Sequence, residues 1–482
     1  MIWAIAIPFI AAAIIPLFNE HPNRREGVTL LAAVLLFAIV LLILTDPDRF
    51  DMGRIELIAP IPDLPIAFKL EPLGAIFAFV ASLLWIVSSL FGIGYMRGNN
   101  EPRQTRFYVS FAIALGSTMG ICFADNLLTL FIFYEALTIS TYPLVTHHKN
   151  EEAIKSGRTY LGILMSTSIG FLLFAIIITY VETGTLDFVQ GGILSGRVSP
   201  LLGSLLLLMF MYGVGKAALM PFHRWLPAAM VAPTPVSALL HAVAVVKAGV
   251  FSVVKIAVYI FGLDFLQELP ASSIILYISG FTIVMASIVA IRQDNLKRRL
   301  AYSTISQLSY VILAMFILTP MSTVGASMHI AVHAFGKITL FMAAGAIYTA
   351  AHKTLVSQLD GIGRRMPWTM TAFAIGAISM IGLPPAAGFL SKWYMLMGAL
   401  DSDQIFALVV IVVSTLLNAG YFLPIIYAAF LKPEASNDSH HDDHGEAPIF
   451  IVVALVATAA LTILLFLFPG FLLELAQGVI GS

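Results

Sequence analysis

Three titratable side chains recur at intervals of four residues in the otherwise apolar segment HIAVHAFGK: His329, His333 and Lys337. In an α-helix this spacing places all three on one face, with a rise of about 12 Å from first to last. A single buried histidine is more often a packing residue than a functional one, but three such groups in one stripe favour a function. Because imidazole and amine groups bind and release protons, the stripe indicates proton exchange.

Further ionisable residues lie within apolar stretches of the chain. A charged side chain at the centre of a bilayer costs about 2.5–3.5 kcal/mol, so such residues pair, face water-filled cavities or lose their charge. Burial moves the pKa of a lysine down and that of a glutamate up, which brings both toward proton exchange at neutral pH. The complete set is a candidate proton path: Glu135, Lys216, His241, Lys247, His329, His333, Lys337 and Lys392.

Three other ionisable residues have simpler interpretations. Lys255 follows Lys247 by two helical turns, so it could lie near the membrane surface and extend its amine to water. The sequence favours neither a functional nor a structural role for it. Glu71 and Asp125 stand at predicted helix starts, where capping and the helix dipole explain an acid.

Two proline-containing helix breaks each carry a lysine. Lys216 lies one turn before a proline in GKAALMPFHRWLP, and Lys392 lies two turns after a double proline in GLPPAAGFLSKW. Proline frees backbone carbonyls, which at membrane depth are tolerated only where they face protein or water. Broken helices at corresponding positions of two halves are typical of a transport site, although a kink required only for packing would explain either one alone.

These residues are carried by a chain that is too apolar to be soluble. Of its 482 residues 59% are hydrophobic and 11% are charged, against about 25% charged in a soluble domain. Apolar runs long enough to cross a bilayer recur from end to end. They predict an all-α polytopic membrane protein with about fourteen spans, which begin near residues 1, 27, 71, 105, 126, 153, 200, 235, 271, 300, 322, 367, 403 and 448.

The composition also excludes several functions. A formal net charge of −1 argues against a nucleic-acid-binding surface. The single cysteine, Cys122, rules out a disulfide scaffold, a thiolate zinc site and a cysteine-ligated iron–sulfur cluster. The chain has no P-loop, dinucleotide-binding glycine pattern or CxxC motif, so we expect no cofactor, no resident metal and no enzyme activity of its own.

The distribution of Lys and Arg among the loops predicts the orientation of the chain in the membrane. If the N-terminus lies outside and the loops alternate, seventeen Lys and Arg fall in inside loops, four fall in outside loops and five lie within spans. This strong positive-inside bias predicts a multi-pass protein of the cell inner (plasma) membrane with both termini outside.

The two lysine-bearing breaks predict an internal repeat. Spans four to eight and nine to thirteen hold one break each, and since five is an odd number the two copies are inverted. The predicted units are helices 1–3 (residues 1–104), the first five-helix repeat (105–262), the second repeat (263–432) and a polar His-rich loop with helix 14 (433–482). Within that loop, SNDSHHDDHGE favours a solvated segment over a weak metal site.

Three segments carry a resemblance to one family. They are the surroundings of Glu135, the segment GVGKAALMPFHRWLPAAMVAPTPVSALLHAVAVVKAG and the segment HKTLVSQLDGIGRRMPWTMTAFAIGAISMIGLPPAAGFLSKWY. Together they resemble the proton-conducting antiporter-like membrane subunits that Mrp-type sodium/proton antiporters share with respiratory complex I and membrane-bound hydrogenases. The resemblance covers about residues 70–430, and the last segment is most similar to the D-type subunit of Mrp-type antiporters.

The resemblance implies two inverted five-helix repeats with discontinuous helices 7 and 12 around a hydrophilic axis. It implies that Glu135 forms an ion pair with Lys216 and that His241 and Lys247 pass protons on. Lys337, with His333, would continue the relay, and Lys392 would be its terminal group. The implied function is proton translocation in a multisubunit antiporter, with other membrane subunits as partners and Na⁺ as the exchanged monovalent cation.

Two alternatives remain at this stage. The same helices could form the pump module of respiratory complex I (NADH:quinone oxidoreductase) or of a membrane-bound hydrogenase, with the redox chemistry on other subunits. The chain could also be a membrane scaffold that conducts nothing.

Overall fold

The computed structural model describes residues 1–46, 48–50, 52–62, 64–433 and 445–481, most of which are α-helical. In this part of the chain the helices are α1 (Ile2–Ile14), α2 (Pro22–Thr45), α3 (Pro72–Gly98), α4 (Gln104–Phe123), α5 (Leu127–Val145), α6 (Glu151–Thr167), α7 (Phe174–Thr183), α8 (Pro200–Gly213), α9 (Trp225–Ala228), α10 (Thr234–Ala238), α11 (Val245–Ile256), α12 (Leu263–Glu268), α13 (Pro270–Arg292), α14 (Leu296–Phe316), α15 (Pro320–Ala351), α16 (Ile362–Arg365), α17 (Pro367–Ile381), α18 (Gly388–Asp401), α19 (Ile405–Leu431), α20 (Ile449–Leu467) and α21 (Gly470–Gly478).

The predicted all-α polytopic fold is confirmed. Each of the fourteen predicted starts lies within about five residues of an observed helix start. Ten helices of the described residues are long and apolar enough to cross a membrane, and Ile2–Phe18, Pro200–Gly213 and Pro367–Ile381 are shorter apolar helices.

A short hairpin covers one end of the bundle. Strands β1 (Ile55–Glu56) and β2 (Ala67–Phe68) pair antiparallel, with Ile55 opposite Phe68. The backbone N–H of Lys69 donates to the Phe123 carbonyl at 2.8 Å, which ties the hairpin to the end of α4. We call this end of the bundle the hairpin face.

The two predicted helix breaks are present. After α8 the chain forms a 3₁₀ turn, Gly215–Ala217, and an irregular segment before α9. The break between α17 and α18 contains the double proline, and Gly382 adopts a φ of +90° that favours glycine. A third break, at Ala244 between the π-helical turn Leu239–Val243 and α11, has no proline or glycine to predict it.

Helix α15 forms the centre of the bundle. Thr319 caps its first turn by accepting a hydrogen bond from the Ser322 N–H at 3.2 Å, and Pro320 stands at the first helical position, where its missing N–H costs nothing. The helix packs against α3, α14, α17, α18 and α20. All its residues from Ser322 to Ile347 are buried, so its titratable stripe faces protein rather than lipid.

The predicted solvated loop lies almost wholly outside the described residues, which omit 434–444. Glu446, at its end, accepts hydrogen bonds from the Trp368 N–H at 2.7 Å and the Thr369 hydroxyl at 2.6 Å. It therefore caps the start of α17.

Candidate functional site

The basic residues predicted from the sequence are buried in the bundle. Their side chains lie in the break after α8, in the π-helical turn before α11, on α11, on α15 and on α18, and each residue is at most 3% exposed: Lys216, His241, Lys247, His329, His333, Lys337 and Lys392. Glu135, on α5, is partly buried.

Lys247 and His333 join α11 to α15. Lys247 Nζ and His333 Nδ1 share a hydrogen bond. The His333 ring stacks on that of His329, with 5.9 Å between the ring centroids. These contacts bring the α15 stripe together with Lys247 of α11, a contact that the spacing of the stripe did not predict.

His329 is hydrogen-bonded at both ring nitrogens. Its Nδ1 lies 2.8 Å from Ser391 Oγ, and its Nε2 lies 3.1 Å from Gln307 Oε1. Gln307 Nε2 donates to the Met380 carbonyl at 3.2 Å, which fixes the amide so that its oxygen faces the histidine. His329 Nε2 therefore carries a proton.

Ser391 can satisfy His329 in either protonation state. Its hydroxyl lies within reach of His329 Nδ1 and also donates to the Gly388 carbonyl at 3.2 Å. When the imidazole is neutral, the hydroxyl donates to Nδ1; when it is protonated, the hydroxyl turns to Gly388 and accepts from Nδ1. A hydroxyl rotation is thus sufficient for His329 to gain or lose a proton without leaving a buried group unsatisfied.

The break before α18 supplies the acceptors for Lys392. Its Nζ donates to the carbonyls of Met380 at 3.1 Å and Ile381 at 2.9 Å, in the last turn of α17. A helix that ends inside the bundle exposes carbonyls that continue no ladder, and their negative end of the helix dipole favours a cation. The same Met380 carbonyl also accepts from Gln307 and from Asn418 Nδ2, so it joins three side chains.

Lys337 reaches the same carbonyl through α14 and α19. Its Nζ donates to Ser303 Oγ at 2.8 Å. The Tyr421 hydroxyl lies 3.0 Å from Ser303 Oγ and donates to Asn418 Oδ1. Asn418 in turn donates to the Met380 carbonyl at 3.3 Å. A continuous series of polar contacts therefore connects Lys337 to Lys392.

Lys216 has a different environment. Its Nζ donates to the Tyr134 carbonyl at 2.8 Å and to Thr138 Oγ1 at 2.6 Å, both on α5. The carboxylate oxygens of Glu135 are buried and have no hydrogen-bond partner among the described residues. The Lys216 ammonium is not in contact with these oxygens, so the ion pair implied by the resemblance is open in this structure.

His241 stands apart from these contacts. Neither of its ring nitrogens has a hydrogen-bond partner within the described residues, and its ring packs 4.6 Å from that of Phe341 on α15. The structure places it inside the bundle but does not join it to Lys216 or Lys247.

Close backbone approach joins the break after α8 to α11. A Cβ added to Gly249 would lie 2.4 Å from the Lys216 carbonyl carbon and 2.4 Å from the Ala217 nitrogen. Only glycine permits this approach. It positions Lys216 beside the helix that carries Lys247.

Comparison with known proteins identifies the family. The sequence profile of the family described as "NADH:quinone oxidoreductase/Mrp antiporter, TM" matches residues 124–418, which is more than half of the chain. The chain belongs to this family. As a member, it is a multi-pass membrane protein of an ion-translocating class that occurs in both antiporters and redox complexes.

Relatives within the NADH:quinone oxidoreductase/Mrp antiporter family include subunits of three kinds of complex. NADH-quinone oxidoreductase subunit N of Desulforudis audaxviator is 32% identical over 77% of this chain and 74% of its own length. Hydrogenase-4 component B of Escherichia coli is 28% identical over 84% of this chain and 63% of its length. The A-type subunit of the Na(+)/H(+) antiporter of Alkalihalophilus pseudofirmus is 29% identical over 98% of this chain and 61% of its length. The chain thus spans less than two thirds of the latter two relatives.

Two solved structures share the fold. A chain of the archaeal membrane-bound sulfane sulfur reductase (MBS) superposes with a TM-score of 0.86 at 24% identity, covering 99% of this chain and 96% of that one. A chain of the Mrp complex from Dietzia sp. DQ12-45-1b superposes with a TM-score of 0.83 at 21% identity, covering 99% and 95%.

Sequence reasoning missed the uncharged members of the site in this family member. They bridge the titratable groups from α14, α18 and α19: Ser303, Gln307, Ser391, Asn418 and Tyr421. A side-chain amide inside an apolar run is costly unless it is hydrogen-bonded, so Gln307 and Asn418 carried a usable signal. The serines and the tyrosine carried none, because such residues are common in packed helices.

Proposed function

We propose that the chain is the proton-translocating subunit of a multisubunit Na⁺/H⁺ antiporter. The observation that carries the proposal is the row of buried basic groups from Lys247 to Lys392 across the centre of the bundle. Lys247 is hydrogen-bonded to His333, whose ring stacks on that of His329. Gln307 and the Met380 carbonyl then connect His329 to Lys392. Within the described residues, no carboxylate lies within 4.0 Å of either lysine amine. A scaffold has no need for uncompensated bases at this depth, whereas a proton path requires them.

Charge repulsion makes this row suitable for passing one proton at a time. Two unit charges about 3 Å apart repel by about 5 kcal/mol at an effective dielectric constant of about 20. Lys247 and His333, which share a hydrogen bond, therefore hold one proton between them. A second proton that arrives at Lys247 repels the first toward His329, which Ser391 and Gln307 satisfy in both protonation states. Because His333 Nε2 has no hydrogen-bond partner among the described residues and the two rings are only stacked, this transfer requires an intervening water.

Lys216 and Glu135 would control access to this row. In the open arrangement the Lys216 ammonium donates hydrogen bonds to the Tyr134 carbonyl and the Thr138 hydroxyl of α5. Glu135, which follows Tyr134 in the chain, has no hydrogen-bond partner among the described residues. Closing the pair would remove positive charge from the neighbourhood of Lys247 and raise the proton affinity there. His241, whose ring packs beside Phe341, would also belong to the proton path. Lys337 would join the path through Ser303 and the Tyr421 hydroxyl.

Similarity over nearly all of this chain supports an antiporter subunit. The match to the A-type antiporter subunit extends over 98% of this chain, and the chain also shares its fold with the Mrp complex. Other membrane subunits would supply the partners and the path for Na⁺, because a row of lysines is poorly suited to bind a cation. The D-type position within such a complex remains the proposed one.

A redox-driven pump is the second candidate. It is favoured by the 32% identity to NADH-quinone oxidoreductase subunit N and by the superposition on the sulfane sulfur reductase chain. In either complex we propose that residues 105–262 and 263–432 act as two inverted repeats, and that both termini lie on the outer side of the plasma membrane.

Flux measurements in vesicles test the proposal. Everted membrane vesicles that contain the whole native complex would be given a Na⁺ pulse without an electron donor, and internal pH followed by a fluorescent probe. We expect Na⁺-dependent proton flux that Lys216→Ala and Glu135→Gln abolish at unchanged complex level. Flux equal to wild type in both variants would favour the scaffold, and flux that requires NADH or H₂ would favour the redox pump.

A further inference from the structure

Lys255 forms an ion pair that its sequence position did not suggest. It lies on α11 two turns beyond Lys247, about 12 Å along the axis, and its side chain is completely buried. Its Nζ lies 3.0 Å from Glu71 Oε2 and donates to the Ala124 carbonyl at 2.6 Å. Glu71 is the N-cap residue of α3, as its position predicted, but its side chain makes no capping bond and pairs with Lys255 instead.

A cavity opens next to this pair at the hairpin face. Its volume is about 470 Å³, and its lining includes Arg54, Lys69, Asp125, Asp187 and Phe188. The ring of Phe188 is centred 4.5 Å from Lys255 Nζ. Phe188 therefore contacts both the buried ammonium and the cavity.

Asp125 lines the cavity and is the residue next to the backbone carbonyl that binds Lys255. It follows Ala124, whose carbonyl binds Lys255, and its Oδ2 lies 3.2 Å from Arg54 Nε. Arg54 also contacts Asp187 at 2.9 Å and Glu56 at 3.0 Å.

Acids outnumber bases in this cluster by one. The acids are Glu56, Glu71, Asp125 and Asp187, and the bases are Arg54, Lys69 and Lys255. Burial raises the pKa of Asp125 to about 6, and the repulsion of Glu71 adds to this effect while Arg54, Lys255 and Lys69 oppose it. The cluster can therefore accept one proton from cavity water under mildly acidic conditions.

We propose that Lys255, Glu71 and Asp125 form a proton access route between the mid-membrane lysines and the hairpin face. The Lys255 ammonium passes a proton to the Glu71 carboxylate, which leaves a neutral amine and a carboxylic acid. That acid gives its proton to Asp125 or to water in the cavity, and the amine takes its next proton from the side of Lys247. The reverse sequence brings a proton in. This inference rests on the proposed function.

A purely structural ion pair makes a different prediction for the double variant. Removing one partner of a buried pair leaves an uncompensated charge and destabilises the protein, whereas replacing both with neutral residues of similar volume is often tolerated. Under a structural role, Lys255→Met with Glu71→Gln restores the flux that either single change removes. Under the proposed route, the double variant assembles at the wild-type level but loses flux by about tenfold or more, because no group is left to carry the proton.

The experiment uses the whole complex in vesicles, with wild type and Lys216→Ala in parallel. Arg197→Gln is the matched control, since this loop arginine donates to the Thr183 carbonyl outside the cluster. If wild type shows no cation-dependent flux, the proposed function fails; if wild type and the control conduct and the double variant conducts equally, only the access route is overturned.

A second variant avoids the folding question. Asp125→Asn removes the titrating carboxyl while Lys255 and Glu71 stay paired. We expect the flux of wild type to change with an inflection near pH 6 on the hairpin side, and this inflection to disappear in Asp125→Asn. A profile that keeps the inflection in the variant overturns the route.

Discussion

Lys247 and His333 are hydrogen-bonded to each other across the interface of α11 and α15, although 86 residues separate them in the chain. Both side chains are buried, so the bond is shielded from solvent. It directly joins titratable groups of the two predicted repeats, so charge on one of the two helices acts at short range on the other.

The Lys247–His333 contact predicts strongly non-additive variants. If the two residues share one proton, Lys247→Ala and His333→Ala interrupt the same step, and each lowers flux by about a hundredfold. The double variant should be no worse than either single one, since residues that act as a unit do not contribute independently. A double-mutant cycle on proton flux measures this, and additive losses would indicate separate roles.

Ser391 predicts a selective effect on protonated His329. In Ser391→Ala the imidazolium has no acceptor at Nδ1, so a buried donor is left unsatisfied at a cost of about 1–3 kcal/mol. We expect flux to fall by about tenfold or more, while Ser391→Thr, which keeps the hydroxyl, retains most of the activity. Equal flux in the alanine and threonine variants would show that the hydroxyl does not take part.

Removing the Tyr421 hydroxyl should lower proton flux only in part. Tyr421→Phe keeps the ring that packs on Phe422 but interrupts the contacts between Ser303 and Asn418. Lys337 then loses its hydrogen-bonded connection to Lys392, while the contacts from His329 through Gln307 to the Met380 carbonyl remain. We expect reduced but measurable flux. Complete loss would place Lys337 on the sole path, and no change would remove Tyr421 from it.

Gly249 predicts a change in stability. A Cβ at this position would lie 2.4 Å from backbone atoms of Lys216 and Ala217, which cannot move independently. Gly249→Ala should destabilise the protein by about 1–3 kcal/mol through overpacking. Gly162 is the matched control on α6, since a Cβ there meets nothing within 4 Å and alanine is the better helix former. Thermal unfolding of the purified complex compares the two, and equal stability would contradict the close approach.

His147 predicts a loss of stability in acid. It lies in the turn after α5, and burial, followed by the neighbouring His148 and Arg106, lowers its pKa to about 4. Because its pKa in the unfolded chain is near 6.5, the unfolded state binds more protons between these values. Stability that is complete above about pH 6.5 is therefore lost as the pH falls toward 4.

Replacing His147 tests whether this residue causes the loss of stability in acid. His147→Gln should flatten the dependence of the unfolding temperature on pH between about 6.5 and 4, relative to wild type. His352→Gln, at the C-terminal end of α15, is the control for a general effect of removing a histidine. An unchanged slope in His147→Gln would assign the acid sensitivity to another group.

The positions of the titratable residues could be predicted from the sequence because a charge in an apolar run is rare and costly. Both lysine-bearing breaks could also be predicted, because each contains a proline and proline cannot continue the hydrogen-bond ladder of a helix. The break at Ala244 could not be predicted in this way. It depends on tertiary packing around residues with ordinary helix preferences.

The hydrogen-bond and ion-pair partners of the buried titratable residues could not be predicted from the sequence. Glu71 and Lys255 are far apart in the chain, and each had a local interpretation that was sufficient by itself. The Met380 carbonyl is a backbone atom, so no residue type marks it as the point where Lys392, Gln307 and Asn418 meet. Such convergence appears only when the helices are assembled.

The burial of α15 from Ser322 to Ile347 has a mechanical consequence. The helix is 32 residues long, about 48 Å, and exceeds the roughly 30 Å thickness of a hydrocarbon core. Because other helices surround its titratable stripe, lipid molecules exert no lateral force on that part of the helix. Bilayer thickness, tension and lipid composition can therefore reach the three titratable groups only through the surrounding helices, which adjust their tilt in its place.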